Sequence, residues 1–133
     1  MKPSAETIKK WVDIYCDDCH PLTQDQRDYV AAMCDVCEYE ELPDDAGVFT
    51  WVVLKDFDCK KRMSVLILYC RPEQRGRYLR YMLRRLEEIA KQEGAVELSI
   101  GQSISGYKEE KFNRMLGYFG FTPCAYGKRF KYE

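Results

Sequence analysis

LILYCRPEQRGRYLRYMLRRLEEIAKQEGAVELSI, residues 66–100, decides how this chain folds. It opens on the end of an apolar run, MSVLILYC at 63–70, whose β-branched and aromatic residues suit a strand. The run has no polar face, which fits a central strand covered on both sides. Pro72 and Gly76 break it, and beyond them Leu79, Met82, Leu83, Leu86, Ile89 and Ala90 recur at helical spacing. Gly94 stands where a left-handed residue ends such a helix, and AVELSI at 95–100 reads as another strand. A strand, helix and strand in this order predict a right-handed crossover between parallel neighbours.

Working outward, VFTWVVLK at 48–55 and the run at 63–70 bracket the turn-like DFDCKK, so they should form an antiparallel hairpin. Upstream, Ile8, Trp11, Val12, Tyr15 and Cys19 make one stripe of a helix from about Ala5 to Cys19, which His20-Pro21-Leu22 stops. Thr23, three residues before Gln26, signals a capping box, and Val30, Met33, Cys34 and Cys37 form the stripe of a second helix. LPDDAG at 42–47 reads as a loop. Downstream, Phe112, Met115, Leu116 and Phe119 mark a shorter helix, and the tail 121–133 alternates enough for one or two final strands. The expected architecture is a single α/β domain over 1–133 with a mixed sheet, large enough to bury roughly two thirds of its unfolded surface without a staple.

Composition narrows the setting. No apolar run reaches the ~18 residues of a membrane span, and MKPSAETIKK lacks the apolar core of a signal peptide, so a cytoplasmic protein without a membrane partner is expected. Seven cysteines, an odd number spread over helical and strand patterns, fit reduced thiols. Net charge is −1, but it is unevenly distributed: residues 1–47 carry 4 basic and 12 acidic side chains, and 48–133 carry 17 and 10. The two halves therefore offer fields of opposite sign, or two solvated faces that happen to differ.

YCDDCH at 15–20 and CDVC at 34–37 have zinc-like spacing. Against that, an antiparallel helical pair puts Cys34 roughly 16 Å from the joint at ~1.5 Å per residue, too far for one ion to bridge. A zinc-binding interaction domain is thus an alternative that needs the helices to be absent, and no metal is expected. A sequence pI of 5.9 argues against a nucleic-acid partner, and no H-x-E motif supports a deaminase centre.

The chemistry gathers at the 70–80 turn. Arg75, Arg77, Arg80, Arg84 and Arg85 crowd the start of a helix, whose unpaired N–H groups and positive dipole end favour anions. The plainer reading is an exposed basic helix face paired with Glu87 and Glu88. Here the sequence resembles the GNAT superfamily of acyl-CoA-dependent N-acyltransferases, over about 48–133: PEQRGRYLRYMLRRLEEIAKQEGAVELSI is similar to its Q/R-x-x-G-x-G/A turn, long helix and following strand, and FNRMLGYFGF to its helix ending in G-F. The altered turn looks similar to divergent GNAT-like proteins of phages and mobile elements.

The resemblance implies a GNAT-like mixed sheet with two N-terminal helices, a central strand-turn-helix unit binding acetyl-CoA, and a splayed cleft for an amine. Leu68, Tyr69 and Cys70 would line the pantetheine arm, and Arg75, Gly76, Arg77, Tyr78, Leu79 and Arg80 would hold the diphosphate. Tyr78 and Arg80 fall where two signature glycines stand, so bulk there should push the diphosphate outward or move its contacts to side chains. Leu116 falls where the family often has a tyrosine acid, leaving Tyr118, Tyr126, Tyr107 and Glu97 as candidates for proton transfer. The acidic 1–47 would wall the acceptor side and attract a cationic amine, on a small molecule or a protein. The alternative on this fold is a binding or virion-associated module that has lost catalysis; monomer and homodimer stay open.

Overall fold

The computed structural model of the protein describes residues 2–19, 21–100 and 109–122. In chain order they form α1 (Ala5–Cys19), α2 (Gln24–Cys34), β1 (Glu38–Glu41), β2 (Gly47–Lys55), β3 (Lys61–Cys70), α3 (Arg75–Gln92), β4 (Glu97–Ile100) and α4 (Glu109–Tyr118). The strands lie side by side as β1-β2-β3-β4, antiparallel across the first two pairs and parallel across the last. The helix between β3 and β4 thus joins parallel neighbours, as the 66–100 stretch predicts. The expected strands in 121–133 lie outside the described residues, as do Tyr107 and Tyr126.

Both faces of the sheet are covered. Phe49, Trp51, Met63 and Leu68 pack with Met82, Leu83 and Leu86 of α3 and Phe112 and Leu116 of α4. On the other face Val48, Ile67 and Tyr69 meet Ile8, Trp11, Val12, Tyr15 and Cys16 of α1 and Cys34 of α2. β3 serves both layers through a bulge. Thr50 pairs with Ile67 and Trp51 with Val65, so Leu66 is an extra residue that reverses the alternation. Met63 and Val65 face α3, and beyond Leu66 that task passes to Leu68 and Cys70 while Ile67 and Tyr69 turn to α1. Where the ladder is broken, the buried Thr50 Oγ1 accepts the Ile67 N–H at 3.0 Å.

Local chemistry agrees with the pattern at most ends. The capping box is made, Thr23 Oγ1 accepting from Gln26 N–H while Gln26 Oε1 accepts from Thr23 N–H. Gly94 has φ +74°, the left-handed conformation that ends α3. Gly47 starts β2 where a Cβ would lie 2.3 Å from the Tyr69 carbonyl oxygen, a close approach only glycine permits.

Several details depart from the sequence reading or add to it. EYEE is an edge strand, β1, hidden from a hydrophobicity reading by its carboxylates; LPDDAG holds a short 3-10 turn at Pro43–Asp45. On α1 the residue buried last is Cys16 rather than Cys19, because the stripe drifts as the helix ends against the sheet. Cys37 is buried but lies beyond the end of α2, and Met33 of the α2 stripe is exposed. Among the described residues, no helix is long and apolar enough to cross a membrane.

Candidate functional site

β3 ends at Cys70, a single 3-10 turn follows at Pro72–Gln74, and α3 begins at Arg75. Among the described residues no side chain caps the N-terminus of α3, and no acidic residue lies in its first turn. A Cβ placed on Gly76 would meet nothing within 4 Å, so space stands open beside the first-turn amides. This end of the helix is electropositive and accessible.

The arginines around it divide into two groups. Arg71, Arg75 and Arg85 are taken up by acids of the N-terminal segment. Arg71 donates through Nη2 to Asp45 Oδ2 and through Nε to the Asp45 carbonyl, both at 2.7 Å. Asp45 also receives Lys10, and these two cations hold its carboxyl below the usual carboxylate range. Arg75 donates through Nε to the Cys70 carbonyl (2.9 Å) and through Nη2 to Asp18 Oδ2 (2.9 Å). The same Asp18 oxygen accepts from Tyr69 Oη at 3.0 Å and from the Cys19 thiol at 3.2 Å. Arg85 pairs with Glu40 of β1 at 2.9 Å. Arg77, Arg80 and Arg84, by contrast, make no ion pair among the described residues; Arg77 lies 5.1 Å over the Tyr78 ring.

Each group borders a groove. On the ridge side, Arg80 faces Lys111, Arg114 and Tyr118 of α4 across an open groove of about 360 Å³ floored by Met115 and Phe119. A neighbouring hollow of about 320 Å³ lies along Arg77, Arg80, Tyr81 and Arg84, with the paired Arg85 and Glu88 also on its wall. On the clamp side a third groove, again about 360 Å³, is lined by Ile14, Asp17, Asp18, Tyr69, Arg71 and Glu73. The charge asymmetry of the chain is therefore spent in two ways: it pins α1 to the β3–α3 turn, and it leaves a cationic groove and an acidic groove on either side of that turn.

The structure brings some of the residues singled out by sequence together and separates others. Leu68, Tyr69 and Cys70 are buried, so their side chains belong to the core. β4 pairs only with Arg62 to Val65, so beyond that point β3 has no strand partner on that edge among the described residues. Tyr78 and Leu79 pack half-buried against the α3 layer. Tyr118 is 87% exposed on the groove rim, and Leu116 is buried in the core. Glu97 sits opposite Arg62, 3.6 Å from its guanidinium. Arg62 and Cys70 stand eight positions apart along β3, roughly 26 Å of strand, so Glu97 is not near the turn.

The Cys70 and Cys19 thiols are poor nucleophiles. Burial pushes Cys70 up to about 11 and Cys19 up to about 11, the nearby Arg75 opposing it in both. Among the described residues no three cysteine, histidine or acidic side chains converge as a metal site would require. Asp45, Glu40, Lys111 and Arg114 are the groups sequence reasoning missed; Asp18 falls in the acidic stretch it assigns to the acceptor side, but its bond to Arg75 is not foreseen. Lys111 and Arg114 could have been found as an i, i+3 pair on the α4 face opposite its apolar stripe; nothing local marks Asp45 or Glu40.

The fold is that of the GNAT acetyltransferases. An acetyltransferase of Trypanosoma brucei superposes with a TM-score of 0.68 at 14% identity, covering 98% of this chain and 96% of its own. An aminoglycoside acetyltransferase from an uncultured soil metagenomic sample gives 0.66 at 11% identity, over 98% and 95%. Glucosamine-6-phosphate N-acetyltransferase of Arabidopsis thaliana gives 0.63 at 13% identity, over 100% and 97%. No protein-family model matches the sequence, and no curated protein matches it.

Proposed function

On a fold shared with acetyltransferases, we propose that this chain transfers an acetyl group from acetyl-CoA to a primary amine, holding the donor's phosphates with side chains rather than with a glycine-rich backbone loop. The observation that carries the reading is the row of arginines that make no ion pair among the described residues, Arg77, Arg80 and Arg84, running along α3 from an N-terminus with no side-chain cap and open space over Gly76. These features fit a diphosphate: amides and dipole on one side, guanidinium groups on the other. Lys111 and Arg114 add charge for a further phosphate, and Met115 and Phe119 an apolar floor for a base.

The edge of β3 after Val65, without a strand partner among the described residues, suits hydrogen bonding to the amide-rich pantetheine arm. The acceptor is assigned to the acidic groove of Asp17, Asp18 and Glu73, which favours a cationic amine such as a polyamine or amino sugar. In the transfer the neutral amine nitrogen bonds to the thioester carbonyl carbon, the carbon–sulfur bond breaks, the nitrogen's proton goes to water or a base, and the thiolate takes a proton. Tyr118 lines the groove assigned to the donor's base, at the end of the donor away from the thioester, so it is not given the proton-donor role.

Titration calorimetry with acetyl-CoA and CoA, followed by a thiol-release assay over spermidine, an aminoglycoside and a neutral amine, tests this reading. Binding of both nucleotides with release driven by the cationic amines is expected. Absence of binding would overturn it; binding without release over the panel would favour a binding module that has kept the fold and lost catalysis.

A further inference from the structure

Asp18 and Arg75 stand at the boundary between the two grooves, and each is held by bonds that survive the loss of the other. Arg75 keeps its Nε on the Cys70 carbonyl at 2.9 Å, which fixes the stem, while its Nη2 is shared between Asp18 Oδ2 at 2.9 Å and Cys19 Sγ at 3.4 Å. Asp18 keeps its bonds from Tyr69 Oη and the Cys19 thiol. Tyr69 is 1% exposed and pinned between Trp11 and Tyr15, so it cannot follow Arg75 if the guanidinium turns away. The Asp18–Arg75 contact is itself accessible: the two side chains retain 29% and 25% of their exposure. Arg75 is the first residue of α3, adjacent to the open space over Gly76, whereas Asp18 lines the acidic groove.

We infer that the Asp18–Arg75 ion pair is an exchangeable latch that couples the two substrate sites: an incoming diphosphate takes the Arg75 Nη2 from Asp18, and Asp18, still held by Tyr69, is released to bind the ammonium of the acceptor. The inference rests on the acetyl-CoA reading above. With no donor present, the guanidinium neutralises the acidic groove and cations bind it weakly. With the donor present, the groove gains one uncompensated carboxylate at a fixed position. The coupling is reciprocal, so a cation on Asp18 must strengthen donor binding by the same factor. A latch of this kind favours filling the donor site first and makes the acceptor site competent only when there is something to transfer.

Competition gives the latch a signature that ordinary structural support lacks. Asp18→Asn keeps an acceptor for Tyr69 but holds the guanidinium without a charge, so CoA should bind about 5-fold tighter or more, within the usual range of such couplings. Pantetheine, which has no diphosphate, should bind Asp18→Asn and wild type alike. Asp17→Asn removes the same charge from the same groove, but Asp17 is bonded to Arg27 rather than Arg75, and should leave CoA affinity nearly unchanged. Should Asp18→Asn fail to fold, arginine side-chain NMR on the wild-type protein gives the second measurement: CoA should shift the Arg75 resonance and leave that of Arg27 in place. Equal or weaker CoA binding by Asp18→Asn, or an Arg75 resonance that CoA does not move, would overturn the latch while leaving the acetyl-CoA reading intact. If the wild-type protein does not bind CoA at all, that reading fails and the latch with it.

Discussion

The clamp side and the ridge side of the β3–α3 turn are built from the same residue in the same fifteen positions, yet they do opposite things. Arg71, Arg75 and Arg85 meet Asp45, Asp18 and Glu40 and fasten the N-terminal segment to the core. Arg77, Arg80 and Arg84 make no ion pair among the described residues, although Glu88 lines the same hollow. The difference is not in helix propensity or in charge but in what the rest of the chain places opposite each face, and it turns an even-looking basic stretch into a seam and a binding surface. Stability should therefore reside on one side and ligand affinity on the other.

The largest effect expected on the clamp side is Gly47→Ala. The new methyl group would meet the backbone of Tyr69 and Cys70, which carry the seam and cannot move without moving β3. Urea unfolding should show a loss of about 3 kcal/mol or more. Arg75→Ala should follow at about 1–2 kcal/mol, since it strips a donor from the Cys70 carbonyl and a partner from Asp18, at a site exposed enough for water to recover part of the loss. Arg84→Ala, the matching change on the ridge, should stay within about 0.5 kcal/mol of wild type in the same experiment. Equal losses for the two arginines would erase the distinction between the sides.

Much of the fold could be read before the structure because it rests on local rules. The bulged β3 run, the α3 stripe, Gly94 and the Thr23–Gln26 box each sit within a few residues of what they control. β1 escaped because an edge strand tolerates carboxylates that a hydrophobicity pattern reads as surface loop. The division of the arginines escaped for a different reason. Asp18 and Arg75 are 57 residues apart, Glu40 and Arg85 are 45 apart, and no periodicity says which acid reaches which base. Glu97 looked eligible on the strand after α3 until the register set it against Arg62, at the far end of β3.

A smaller effect concerns alkaline pH. Burial raises Cys19 and Cys70 to about 11 and Cys34 and Tyr15 to about 12, from ordinary values of 9.0 for the thiols and 10.0 for the phenol. In the unfolded chain these groups lose their protons first, so the native state binds more protons and stability falls as pH rises. The stabilisation is intact below about pH 9 and should be lost progressively toward pH 11–12, measured as a falling urea midpoint at fixed ionic strength. A midpoint that holds constant from pH 8.5 to 11 would contradict the burial of these groups on the clamp side.

The most direct test of the division is CoA titration calorimetry on wild type and on the double variant Arg80→Ala/Arg114→Ala, with thermal unfolding of both in parallel. The expected result is CoA binding by wild type, weakened about 10-fold or more in the variant at an unchanged melting temperature, because the removed side chains hold ligand and no part of the fold. Equal CoA affinity in the two proteins, or no binding by either, would contradict the assignment of the ridge to the donor's phosphates.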